Sequence, residues 1–298
     1  MKKIAAIDIG SNAVRMLICY VFSSKNKHIF QKNSYLRLPL RLGEDSFKTG
    51  VISDTKIQIL SDALNSFKYI MKVHNVKQYQ IYATSALRES KNAKKVISEV
   101  QNSSGLIISL ISGLDEAKII AKGNPQEILE FNKTYIYVDV GGGSTEYSIL
   151  RRGKEKISKS FKIGTVRFLN NSFDKNVFDE VSKWLYSNID IDDKIKLFST
   201  GGNINKIHSM SGSKPGKPIS YLSIKNLYNN LIQYNYKERI IKFDLSPDRA
   251  DVIIPGLKIF IFTLDILNLN KMFVPKVGLV DGMIKQIYYE NISKKLDS

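Results

Sequence analysis

The sequence predicts an α/β chain built from two similar halves, and three observations predict it. Two loops each set an aspartate among glycine and hydroxyl residues directly after an apolar run: Asp8-Ile9-Gly10-Ser11-Asn12 after Ile4-Ala5-Ala6-Ile7, and Asp139-Val140-Gly141-Gly142-Gly143-Ser144-Thr145-Glu146 after Tyr135-Ile136-Tyr137-Val138. Apolar runs of this length bounded by glycine read as buried strands, and apolar residues return after each loop, so each loop is the tip of a hairpin. The order of strands and helices behind the first loop then restarts behind the second.

The first half reads as strands over 3–8, 14–22 and 28–36, a helix from about 54 to 74, a strand over 79–84, a helix from about 85 to 102, a strand over 106–111 and a helix opening near Gly113. Ile57, Leu60, Leu64, Phe67 and Met71 recur at helical spacing, with Ser53 or Asp54 placed to cap that helix. Gly123-Asn124-Pro125 breaks the chain, because the residue before a proline avoids helical geometry. The second half gives strands over 134–140, 146–151 and 155–161, a helix near 174–187, a strand over 195–199 and a helix after Thr200-Gly201-Gly202-Asn203. A loop rich in proline and glycine covers 211–221; helices resume near Ser223, and a strand over 272–275 precedes a last helix near 279–295. The expected domains are 1–123, joined by the C-terminal helix 279–298, and 124–278.

Composition narrows the chemistry. The 298 residues suffice for two domains, and 43% hydrophobic with 24% charged residues is ordinary for a globular protein. The apolar stretch Val252 to Leu269 carries Pro255, Lys258 and Asp265, which argues for a buried helix against a membrane span. Met1-Lys2-Lys3 leads into a strand pattern without a signal-peptide core, and the expected location is cytoplasmic. A single cysteine, Cys19, excludes an intramolecular disulfide and a cysteine-based zinc site; it reads as a small buried thiol. His28, His74 and His208 have no metal-ligand spacing, so any metal is expected to be oxygen-bound. The net charge of +17 fits a polyanionic partner and fits equally a lysine excess spread over solvated faces.

Asp8-x-Gly10-Ser11-Asn12-x-x-Arg15, Ala83-Thr84-Ser85-Ala86-Leu87-Arg88, Ser112-Gly113-x-Asp115-Glu116-Ala117 and Asp139-x-Gly141-Gly142-Gly143-Ser144-Thr145-Glu146, in this order, resemble the exopolyphosphatase and guanosine pentaphosphate phosphohydrolase (Ppx/GppA) family. Ile163-Gly164-Thr165-Val166-Arg167 and the Gly201-Gly202 turn extend the resemblance over essentially the whole chain. It implies two ribonuclease H-like domains of the actin/Hsp70/sugar-kinase superfold around an interdomain cleft, in the short two-domain form, with a homodimer plausible for the family. Asp115 stands where the family usually has glutamate, Ala13 where serine is common, and Asn203 where threonine is frequent.

The chemistry of the loops points the same way. Glycine lets backbone N–H groups approach an anion, whereas a carboxylate repels it; a divalent cation such as Mg2+ or Mn2+ reconciles the two, because it takes one or two carboxylates and leaves room for phosphate oxygens. Asp8 and Asp139 are the expected metal ligands, with Glu146 supporting from beyond its glycine run. Gly10, Ser11, Asn12, Arg15, Ser85, Gly141, Gly142, Gly143 and Ser144 are expected to bind phosphate. The resemblance makes Glu116 the general base. Arg88, at a strand-to-helix junction, is expected to meet developing charge on the leaving phosphate; the bland alternative is a surface ion pair with Glu89 or another neighbour. The expected activity is release of terminal phosphate from inorganic polyphosphate, guanosine pentaphosphate, or both, with no specific nucleic-acid partner and no membrane. A kinase of the same superfold and a non-catalytic polyanion binder are the competing readings.

Overall fold

The computed structural model describes residues 1–24, 27–123, 133–151, 154–190, 194–214, 216–275 and 278–296; Asn124 and Pro125 of the expected chain break lie outside them. The chain forms two compact units, residues 1–123 with 278–298, and residues 124–277.

Unit 1 is a five-stranded sheet of β1 (Lys2–Ile9), β2 (Val14–Ser24), β3 (Lys27–Leu38), β4 (Gln78–Ala83) and β5 (Ser109–Leu110). Its order is β3-β2-β1-β4-β5; β1–β2 and β2–β3 run antiparallel, and β4 and β5 add in parallel. β1 is central, and both its faces are apolar because successive side chains alternate. Ala5, Ile7 and Ile9 pack with Leu60, Leu64 and Phe67 of helix Asp54–Val73 and with Val96 and Val100 of helix Ala93–Ser104. Ile4 and Ala6 turn the other way, onto Ile119 and Ile120 of helix Gly113–Gly123 and Met283 and Ile284 of helix Leu279–Leu296. Cys19 is buried on that second face, where burial pushes its thiol up to about 11.

Unit 2 repeats the plan. β6 (Thr134–Val140), β7 (Thr145–Arg151), β8 (Lys154–Phe161) and β9 (Ile195–Thr200) form a sheet in the order β8-β7-β6-β9, with β6–β7 and β7–β8 antiparallel and β6–β9 parallel. A parallel bridge from Phe198 to Phe273 extends β9 where β5 extends β4 in unit 1. The doubled ribonuclease H-like order is therefore present, and each glycine loop is a hairpin tip at its sheet's centre.

Several element boundaries differ from expectation. The helix expected over about 85–102 is two, Ser85–Arg88 and Ala93–Ser104, parted where Asn92 clamps Ile52 through both its side-chain amide groups, accepting from the Ile52 N–H and donating to its carbonyl. Ser53 does not cap its helix through its side chain; its hydroxyl donates to Asp45. The strand expected over 106–111 shrinks to Ser109–Leu110, and the one over 272–275 is Lys271–Met272 followed by the Phe273 bridge. Helices Leu42–Thr49 and Thr165–Leu169 were not anticipated. The apolar stretch near 252–269 forms helix Ile253–Ile266, and among the described residues no helix is long and apolar enough to cross a membrane.

Candidate active site

In unit 1 the first loop is closed by the Gly10 N–H donating to the Ala13 carbonyl at 3.2 Å. Its outer carbonyls are tied down: Ser11 accepts from the Gly43 N–H at 2.8 Å and Asn12 from the Arg41 N–H at 3.1 Å. A trans peptide points its C=O and the following N–H in opposite directions. Anchoring these carbonyls on the entry to helix Leu42–Thr49 therefore turns the N–H groups of Asn12 and Ala13 away from it. Ser11 Oγ lies 2.8 Å from Ser85 Oγ, which ties the loop to helix Ser85–Arg88.

Asp8 and Arg15 face each other in register across β1 and β2, and the guanidinium donates to Asp8 Oδ2 at 2.6 Å. Burial pushes the Asp8 carboxyl above the usual range, against the lowering effect of Arg15. Arg88 does not pair with Glu89. Its Nη1 donates to the Ile111 carbonyl at 2.8 Å and lies 3.6 Å from Glu116 Oε2. Glu116 sits in the first turn of its helix with its side chain 12% exposed. Ser112 shapes that entry: its hydroxyl accepts from the Asp115 N–H at 3.1 Å and donates to the Asp115 carboxylate at 2.7 Å. Contacts thus link Ser11 through Ser85 and its helix to Arg88 and Glu116.

Unit 2 builds its loop the same way. The Gly141 N–H donates to Ser144 O at 2.9 Å, repeating the Gly10–Ala13 turn. Gly141 O accepts from the Thr165 N–H, Gly142 O from the N–H groups of Val166 and Arg167, and Gly143 O from Arg167 Nε. All three carbonyls are thereby held by the start of helix Thr165–Leu169, and the N–H groups of Gly142, Gly143 and Ser144 project outward together. That is the arrangement of a backbone anion nest. Arg167 serves this loop as a clamp, with a second bond from Nη1 to Ser172 O. Gly164 is needed for the close approach, because a Cβ there would fall 2.5 Å from the Gly142 and Gly143 backbone.

Asp139 faces Glu146 in register across β6 and β7, and Glu146 in turn faces Ser160, whose hydroxyl donates to Glu146 Oε1 at 2.8 Å. Gly201, at φ +98°, packs where any Cβ would strike Asp139 Oδ1. Asn203 donates its side-chain amide to Val140 O at 3.2 Å. Among the described residues no group of three or more His, Cys, Asp or Glu side chains gathers into a protein-only metal cage. The Asp139–Glu146 pair nevertheless suits a hard cation that takes two carboxylates and completes its shell with water and phosphate oxygens.

Unit 1 accordingly assembles Asp8, Gly10, Ser11, Asn12, Arg15, Ser85, Arg88 and Glu116, and unit 2 assembles Asp139, Gly141, Gly142, Gly143, Ser144 and Glu146. Sequence reasoning did not foresee the parts that hold the loops, namely Arg41, Gly43 and the clamp by Arg167. Their only signal was a glycine entering each short helix, Gly43 and Gly164.

Comparison with known proteins agrees. The model of the Ppx/GppA phosphatase family matches residues 20–290. A bifunctional 3-dehydroquinate synthase/phosphatase of Fusobacterium nucleatum is 31% identical over 94% of the chain and 46% of its own length. A guanosine-5'-triphosphate,3'-diphosphate pyrophosphatase of Aliivibrio fischeri is 25% identical over 98% of the chain and 61% of its own length. The chain thus spans about half to three-fifths of these relatives. The crystal structure of the Aquifex aeolicus Ppx/GppA family member is similar with a TM-score of 0.76 at 26% identity, covering 97% of this chain and 99% of that one. The chain belongs to the Ppx/GppA phosphatase family.

Proposed function

We propose that this protein hydrolyses the terminal phosphoanhydride bond of inorganic polyphosphate, guanosine pentaphosphate, or both. The observation that carries the reading is the doubled loop whose carbonyls are anchored backward, so that two beds of N–H groups are presented ahead of substrate and without reorganisation. Each bed offers donors to phosphoryl oxygens. A water oxygen attacks the terminal phosphorus in line, its proton passes to a Glu116 carboxylate oxygen, the bridging P–O bond breaks, and its electron pair leaves with the shortened chain.

The Arg88–Glu116 separation of 3.6 Å supports this assignment. It is longer than a tight charge-assisted bond, so an incoming phosphoryl group competes for the guanidinium and leaves the carboxylate to act as a base. Asp139 and Glu146 would hold a divalent cation, Mg2+ or Mn2+, which when bound supplies charge neutralisation at the phosphate oxygens. Asp8 orients Arg15 beside the first loop.

Purified protein with Mg2+ is expected to release phosphate from guanosine pentaphosphate or polyphosphate in buffer lacking any acceptor, with a shortened chain as co-product. Glu116→Gln is expected to lower kcat by ~10^2 to 10^4 with a smaller effect on binding. Phosphate release by that variant at near the wild-type rate would reject Glu116 as the base.

A further inference from the structure

The face of the unit 2 sheet that carries Asp139 changes character along its length. Behind the loop it is aromatic: Tyr137 and Phe198, in register across β6 and β9, stack at 5.2 Å between ring centroids, and Tyr135 joins the same apolar cluster. Side chains alternate along a strand, so Asp139 and Thr200, in register two residues further on, project from this same face. Glu146 and Ser160 continue the row on β7 and β8. Ser160, Glu146, Asp139 and Thr200 thus form one polar line across the four strands, in front of the aromatic floor.

Within this line Ser160 already donates to Glu146 Oε1 at 2.8 Å. Thr200 is 1% exposed, and among the described residues its Oγ1 has no hydrogen-bond partner. The Asp139 carboxylate leans over the end of β9, with Oδ1 against Gly201, the residue that follows Thr200. A buried hydroxyl without a partner forfeits its hydration, and a methyl group would fill the same space without that loss. A hydroxyl kept beside Asp139 and Glu146 suits a partner that arrives with a ligand. Mg2+ and Mn2+ retain several waters, which the cation polarises into strong donors, and a threonine oxygen carries acceptor lone pairs for them.

We propose that Thr200 is a positioning residue for the divalent cation of unit 2, its Oγ1 accepting a hydrogen bond from a water of that cation's shell. The proposal rests on the reading that Asp139 and Glu146 hold the cation, and it deepens that reading.

The test is Mn2+ binding to the full chain without substrate, followed by the electron paramagnetic resonance signal of free Mn2+. Thr200→Val is expected to raise the Kd for Mn2+ about tenfold, and Thr200→Ser to stay within about threefold of the wild type. Ser199→Ala removes another buried, unpartnered hydroxyl, one residue back and on the opposite face, and should leave Mn2+ binding unchanged. Metal-free Thr200→Val should melt at the wild-type temperature or above it. Three results would overturn the proposal: unchanged Mn2+ affinity in Thr200→Val, a loss that serine does not restore, or an equal loss in Ser199→Ala. Asp139→Asn separates the two levels. Affinity that falls in Asp139→Asn and not in Thr200→Val removes Thr200 alone, whereas affinity unmoved by Asp139→Asn removes the cation reading with it.

Discussion

The two hairpins share one backbone and differ in one charge. In unit 1 the residue facing the loop aspartate is Arg15; in unit 2 it is Glu146. The first pair places a guanidinium beside its glycine loop, and the second places two carboxylates beside the other. Like charges directly opposite on a ladder are unfavourable by themselves, whereas a carboxylate facing arginine is favourable. A repeated scaffold has thus been given two electrostatic tasks. The Arg15 hairpin suits direct contact with an anion, and the Glu146 hairpin suits a divalent cation.

The sharpest way to break this comparison structurally is Arg15→Ala. It leaves Asp8, whose side chain is 5% exposed, without its guanidinium, and is expected to cost about 3 kcal/mol in chemical denaturation. Little change in the unfolding midpoint would mean that Asp8 does not depend on this pair. The loop backings come next. Gly164→Ala drives a Cβ into loop backbone, which cannot step aside, and is expected to cost about 2 kcal/mol and to weaken phosphate binding together with stability. Gly43→Ala meets the Phe47 ring at 2.7 Å and Ser11 Cβ at 3.0 Å, and the ring can rotate, so about 1 kcal/mol is expected. Equal losses at the two glycines would mean that fixed loop backbone at Gly164 and a movable ring at Gly43 yield alike.

The smallest effect is a pH dependence. Burial raises the Asp8 carboxyl, so the folded chain holds a proton there that the unfolded chain has released. Its stabilising contribution is complete below the unfolded value of 3.8 and is lost as pH rises through the folded value. The Tm of the wild type minus that of Asp8→Asn should therefore fall as pH is raised from about 3.8, and a difference that grows with pH would contradict the assignment.

Much of this was legible in the residues. Alternation and apolar runs revealed the strands of both sheets, and the two Asp–Gly loops marked the hairpin tips, because buried strands and φ-permissive turns leave local signatures. What stayed hidden depends on long-range contact. Helix Leu42–Thr49 is eight residues long, too short for a periodic pattern, and exists by docking onto the first loop through Gly43. The motif around Arg88 marked it for charge on a leaving phosphate, but its contacts with Ile111 and Glu116, 23 and 28 positions along the chain, come only with the fold. Arg167 stood only as part of a motif, and that it holds Gly143 is a long-range choice no local pattern encodes.

The division of labour between the hairpins is tested most directly by titrating Mg2+ against phosphate release from guanosine pentaphosphate for the wild type, Asp139→Asn and Asp8→Asn. The account predicts that Asp139→Asn raises the Mg2+ concentration for half-activation by about 10- to 100-fold, while Asp8→Asn leaves it within about threefold. The reverse ranking, or equal shifts in both variants, would contradict it.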